Sequence, residues 1–225
     1  PVGTYQADYQ PFGDLNLLFN NSKNYSNYKR ELDISNAVTT TSYSLDGVNY
    51  KREYFVSAPN QALVTHLSAD KKASISFTAE LSSPHRNYKT WMSNGVLVLS
   101  VKVRTGVLKG DSYMEVRAKG GSVSVNDSRV VVKNADEATI YLTAGTNYVN
   151  YKNVSGNAAL PCLKALKSLQ GKTYEQIKSA HIKEYQQWFN TFSIVLNKPR
   201  SVNDPAELSP DNKDRPTIER LAKFA

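Results

Sequence analysis

The sequence predicts a mainly β protein, an antiparallel β-sandwich followed by a short α-helical linker. Three observations predict it. Between residues 28 and 144 apolar side chains recur with a period of two, the mark of half-buried strands. Turn-forming pairs, Asp46-Gly47, Asn94-Gly95, Gly120-Gly121 and Asn126-Asp127, separate the runs. After about Asn157 the period lengthens to that of a helix.

Taken in order, strands near 38–45 and 48–57 flank Asp46-Gly47. That pair tolerates the positive φ angles of a tight turn, so the two strands should form a hairpin. Ile75, Phe77, Ala79 and Leu81 alternate with Ser74, Ser76, Thr78 and Glu80. Val96 to Val103 is a mostly apolar strand. Met114, Val116 and Ala118 alternate with Tyr113, Glu115 and Arg117, and Ala138, Ile140 and Leu142 with Thr139, Tyr141 and Thr143. Some eight to ten strands result, joined by turns alone, which favours antiparallel pairing over a parallel sheet with crossover helices. Leu160, Leu163, Leu166 and Leu169 then recur every third residue, and Gly171 suits a left-handed helix cap. Thr173-x-x-Gln176 resembles a capping box. Tyr174, Ile177, His181, Tyr185, Trp188 and Phe192 follow at helical spacing and form one helix face. Ser193 to Leu196 is expected to add a short strand, and the prolines at 199, 205, 210 and 216 break regular structure beyond it. The expected organisation is a sandwich, incomplete at its N-terminus, over 1–156, a helical linker with a short strand over 157–196, and an extended segment over 197–225 that leads toward a further domain.

Composition narrows the function. The 225 residues carry 28 Lys+Arg against 20 Asp+Glu, a formal charge of +8. Mean hydropathy is −0.49 and no apolar run approaches the roughly 20 residues of a membrane-spanning helix. The lysines between 164 and 198 read as the wet face of a helical stretch. Nucleic-acid binding would need basic residues gathered on one surface with aromatics for stacking, and they are scattered instead. With one cysteine, Cys162, and three dispersed histidines, neither an intrachain disulfide nor a cysteine-rich zinc site is expected. No cofactor motif is visible: neither a GxGxxG turn, nor a phosphate loop, nor an HExxH helix occurs.

Paired carboxylates for acid–base chemistry would come from Glu31, Asp33, Glu53 and Glu80, but ion pairing across strands accounts for them without a reaction. Cys162 lies on an apolar helix and reads as a small buried hydrophobe. His66 reads as a core-edge residue and His181 as part of the helix face. His85, in the loop Ser83-Pro84-His85-Arg86-Asn87, is the most exposed histidine candidate, and loops on rigid scaffolds often carry function. With Arg86 and Trp91 it forms the expected glycan-contact or domain-interface loop, because sugar rings stack on flat apolar surfaces. The Asn-x-Ser sequons at Asn20, Asn24, Asn126 and Asn153 would matter only in a eukaryotic secretory protein.

Longer stretches carry a resemblance. Tyr9-Gln10-Pro11-Phe12-Gly13-Asp14-Leu15, Arg30-Glu31-Leu32-Asp33, Asp46-Gly47-Val48, Arg52-Glu53, Phe55-Val56-Ser57-Ala58-Pro59 and Ala69-Asp70-Lys71 closely resemble the N-terminal β-sandwich of glycoside hydrolase family 95, the α-L-fucosidases and α-L-galactosidases. Ala135-Asp136-Glu137-Ala138-Thr139 fits the same domain. His181, Tyr185 and Phe189 resemble the family's linker helix, and Arg215-Pro216-Thr217-Ile218-Glu219-Arg220-Leu221 the opening of its catalytic helical barrel. Phe12 and Asn60 stand where the family often has Leu and Asp.

The resemblance implies a sandwich of the supersandwich type. It also implies an inverting hydrolysis by a Glu acid and an Asn–Asp pair belonging to the barrel, none of which is carried onto this sequence. An Asn-Glu-x-Thr-Leu-Trp motif usual at the start of family members is not found here. The expectation is a non-catalytic piece that supports a barrel of the same parent chain, whose substrate is a fucosylated or galactosylated glycan, exported to the periplasm or beyond. The competing expectation is a carbohydrate-binding module. Such a piece should also expose an apolar or edge-strand surface.

Overall fold

A computed structural model of the chain describes residues 11–20, 24–104 and 106–193. Twelve strands and two helices are present among them: β1 (Asp14–Leu18), β2 (Tyr25–Asp33), β3 (Val38–Leu45), β4 (Val48–Ser57), β5 (Ala62–Ala69), β6 (Ile75–Ser82), β7 (Asn87–Ser93), β8 (Val96–Lys102), β9 (Lys109–Lys119), β10 (Ser122–Asn126), β11 (Arg129–Ala135), β12 (Glu137–Thr146), α1 (Ala159–Leu169) and α2 (Tyr174–Phe189). The number exceeds the eight to ten expected, because the short strands β1 and β10 and the exposed β2 lack a clean apolar alternation. Of the strand expected over 193–196 only Ser193 is described, and 197–225 lie outside the described residues.

All pairing is antiparallel. One sheet has four strands, in the order β1-β6-β11-β10, and the other eight, in the order β2-β3-β4-β5-β12-β9-β8-β7. The β3–β4 hairpin closes on Asp46 and Gly47 at φ 50° and 71°, as their turn chemistry requires. The β10–β11 turn falls one residue later than expected, on Asp127 and Ser128, both with positive φ.

The side-chain period of two sorts each strand into two faces. Leu67, Ile75, Phe77, Leu81, Leu97, Leu99, Met114, Val130, Val132 and Ile140 point between the sheets and make the main core. The opposite face of the eight-stranded sheet is covered by helices. There Val38, Phe55, Val64 and Tyr141 pack against Leu166, Leu169 and Ile177. The architecture thus has three layers over β5 and β12, which explains why Thr139, Tyr141 and Thr143, polar in the alternation, are buried.

A strict spacing of three drifts off a helix of 3.6 residues per turn. Accordingly α1 buries Cys162, Ala165, Leu166 and Leu169, while Leu160 and Leu163 are exposed. Gly171 adopts φ +72° after α1, and the capping box is formed: the Thr173 N–H donates to Gln176 Oε1 at 2.9 Å and the Gln176 N–H to Thr173 Oγ1 at 3.3 Å. The chain divides into two compact units, 1–186 and 187–225. The first holds the sandwich, α1 and most of α2. In the second, the Thr191 N–H and hydroxyl both donate to the Trp188 carbonyl.

Candidate functional site

The expected helix face divides along α2. Tyr174, Ile177, His181 and Tyr185 meet the sandwich. The Tyr174 ring stacks on His66 at 3.8 Å, Ile177 is fully buried, and the His181 ring stacks on Phe55 at 4.7 Å. The Tyr185 hydroxyl donates to the Ile34 carbonyl at 2.8 Å. His181 Nε2 lies 3.1 Å from the Asn36 carbonyl and 3.2 Å from that of Ala37, so this nitrogen carries the proton. Its buried Nδ1 has no hydrogen-bond partner. Trp188 and Phe192 are 71% and 73% exposed.

At the N-terminal end of α2 the contact is ionic. Glu53, on the helix-covered face of β4, is 7% exposed. Its Oε1 accepts from Lys178 Nζ at 2.7 Å and pairs with Lys51 Nζ at 3.0 Å, while Oε2 accepts from the Tyr174 hydroxyl at 2.9 Å. Burial alone would raise this carboxyl. The Lys178 and Lys51 ammonium groups and the Tyr174 hydroxyl outweigh it and hold the value at about 2. Tyr174 is pushed up by its own burial and by the charge on Glu53. His66 is pushed down by burial, and its Nδ1 sits 2.9 Å from Thr139 Oγ1. A carboxylate with both oxygens committed and so low a value cannot deliver a proton near neutrality. The cluster is a clamp that fixes the helix on the sheet.

The other three candidate acids, Asp33, Glu31 and Glu80, are tied as well. Asp33 caps the turn at Ser35 and Asn36, Glu31 pairs with Lys29 at 2.6 Å, and Glu80 pairs with Arg129 at 2.8 Å. Only the last is a pairing across strands. Lys29 and Lys51 reach along their own strands, and Lys178 reaches from the helix. Cys162 is fully buried, with Sγ 3.3 Å from the Asp111 carbonyl, and burial pushes its thiol up to about 11. Among the described residues no three His, Cys, Asp or Glu side chains gather where they could hold a metal ion.

The expected loop site is spread out. His85 lies between β6 and β7, its Nε2 donating to the Pro11 carbonyl at 2.9 Å. Arg86 is exposed. Trp91 is on β7, opposite Val98, at one edge of the large sheet and half exposed.

A concave surface that the sequence reading missed lies toward the other edge, on β2, β3 and β4. The four-stranded sheet is too narrow to cover the inner face there, and a groove of about 580 Å³ remains open. Leu45 forms part of its lining, with Tyr25, Tyr28, Tyr43 and Tyr54 around it. Registration places Arg30, Thr41 and Arg52 in one row across the three strands. Arg52 is held: its guanidinium lies 4.0 Å over the Phe19 ring and 5.1 Å over Tyr43, and its Nη2 donates to the Tyr43 hydroxyl at 2.7 Å. Among the described residues no Asp or Glu lines the groove. The available signal was the run Thr39, Thr41, Tyr43 facing Arg52 and Tyr54, hydroxyl-bearing and charged groups where most of the inner face is aliphatic or phenyl.

Two antiparallel sheets packed face to face, with helices laid on the outer face of the wider one, define a β-sandwich. Residues 2–151 match the model of the glycosyl hydrolase family 65 N-terminal domain, and the chain belongs to that family. It is 29% identical over 238 aligned residues to Alpha-L-fucosidase 2 of Arabidopsis thaliana, covering 92% of this chain and 28% of that protein. It is 25% identical over 237 aligned residues to a protein described as alpha-fucosidase A of Aspergillus niger, covering 98% of this chain and 28% of that protein. The chain therefore spans little more than a quarter of either relative. Among solved structures it shares the fold of a human-microbiome protein described as a kojibiose phosphorylase, at a TM-score of 0.58 and 14% identity, over 78% of this chain and 27% of that one.

Proposed function

We propose that this chain is the non-catalytic N-terminal portion of an inverting α-L-fucosidase of the family 95 type, and that it supports and orients a catalytic helical barrel of the same parent protein. The observation that carries the reading is the clamp. Lys178, Lys51 and Tyr174 converge on Glu53 and fix the first part of α2 against the sheet. The two fucosidase relatives, each much longer than the matched region, support the assignment of the parent activity. The same reading takes 1–156 as the sandwich, 157–196 as the linker and 197–225 as the lead into the barrel. It places the parent protein in the periplasm or outside the cell, which fractionation of the producing cells would check.

The direct test is an assay of the purified 225-residue chain on an aryl α-L-fucoside, beside a longer polypeptide that includes the barrel. The expected result is turnover by the longer protein only. Turnover by this chain alone would end the support reading. The alternative, a carbohydrate-binding module, is favoured by one observation: the open tyrosine-lined groove on β2–β4.

A further inference from the structure

The groove on the inner face of β2, β3 and β4 has two features that a merely uncovered patch of core would lack. Its chemistry differs from the surface beside it. Where the inner face is covered, it is Leu, Ile, Val, Met, Ala and Phe, with Tyr50 at its margin. Where it is open, it presents tyrosine and threonine hydroxyls, aromatic rings and two arginines. A seat for further strands of the narrow sheet would continue the aliphatic pattern, because sheet-on-sheet packing is dry. The second feature is charge. Arg30 and Arg52 occupy one cross-strand row with Thr41 between them, so their backbones are two strand spacings, about 9–10 Å, apart. Neither has a carboxylate partner among the described residues. Phe19 and Tyr43 hold the Arg52 guanidinium in place, so part of the entropy of fixing it is already spent.

We infer that this groove binds an acidic oligosaccharide, one bearing uronate carboxylates. The apolar faces of the sugar rings would stack on Tyr25 and Tyr28, whose rings stand 5.9 Å apart, and the ring hydroxyls would meet the threonine and tyrosine hydroxyls. The carboxylates would be taken by Arg30 and Arg52, whose planar donor forks match that anion. The choice of a glycan over other anions rests on the glycoside-hydrolase reading above. The choice of an acidic one rests on the lining alone.

Calorimetric titration of the 225-residue chain with tetragalacturonic acid tests this, with a neutral galactotetraose and a sulfated galactotetraose as comparisons. The expected result is saturable binding of the uronate, weakened by added salt, with the neutral sugar bound about tenfold or more less tightly. Arg30→Gln and Tyr28→Ala, both at exposed positions, should each weaken binding about tenfold while circular dichroism stays unchanged. Four results would overturn the inference: no saturable binding of the uronate, equal affinity for the neutral sugar, preference for the sulfated one, or affinity unchanged in both variants. A dimer in light scattering that these same substitutions abolish would also overturn it, by seating a second copy in the groove. None of these outcomes bears on turnover of an aryl fucoside by the longer protein, so the two readings fail separately.

Discussion

Glu53 shows how much a single residue can hold and how little of it is visible in sequence. Lys51, two positions away on the same strand face, could be named as a partner, but Lys178 and Tyr174 are more than 120 positions distant and arrive only when α2 docks. Because the folded value of about 2 lies below the ordinary 4.5, the stabilisation from this carboxylate is complete above about pH 4.5 and is lost as the pH falls toward 2. Glu53→Gln should flatten the pH dependence of urea unfolding in that window and cost about 1–3 kcal/mol at neutral pH, leaving two ammonium groups without their counter-charge. Cys162 calls for a simpler test. Fully buried and with a raised thiol, it should resist a disulfide-exchange reagent in the folded protein and react fully in denaturant.

The elements divide between those that local chemistry specifies and those that neighbours specify. The β3–β4 hairpin, the capping box of α2 and the glycine after α1 were all legible, since each depends on residues within a few positions. Gly121 is the sharpest case. It combines φ +63° with a backbone so close to Lys133, Asn134 and Ala135 that a Cβ would collide. Gly121→Ala should destabilise by about 1–3 kcal/mol, read as a fall in the urea midpoint at constant m-value. Thr173→Ala should cost about 1 kcal/mol by removing one half of the capping box. Strand β2 was poorly legible because both its faces are exposed, so no alternation marks it. Asn60, which often is Asp in the resembled family, shows a loop serving a distant element: it accepts from Ser57 and donates to Ser168 of α1 at 3.2 Å.

At the scale of the whole molecule, α1 and the first part of α2 are a third layer rather than an appendage. Phe55, Val64 and Tyr141 of the sheet and Leu166, Leu169 and Ile177 of the helices form one cluster. Cutting the chain at residue 157 should therefore expose the outer face of the large sheet. The shortened protein is expected to bind a hydrophobic dye and aggregate, where the longer one unfolds in a single transition by circular dichroism and fluorescence alike. A shortened protein that stays monomeric and cooperative would contradict the three-layer account.

Alternation, turn dipeptides and the shift to helical spacing after Asn157 by themselves determined a mainly antiparallel β protein with a helical exit, because those signals are local and each repeats many times. Which strands share a sheet, and that the sheets hold four and eight, was decided only by tertiary packing, since pairing joins residues far apart in the chain. The clamp on Glu53 and the groove beside Arg52 share that origin. Each gathers side chains from separate elements, and the inequality of the two sheets, which leaves the groove open, is a property of no single segment.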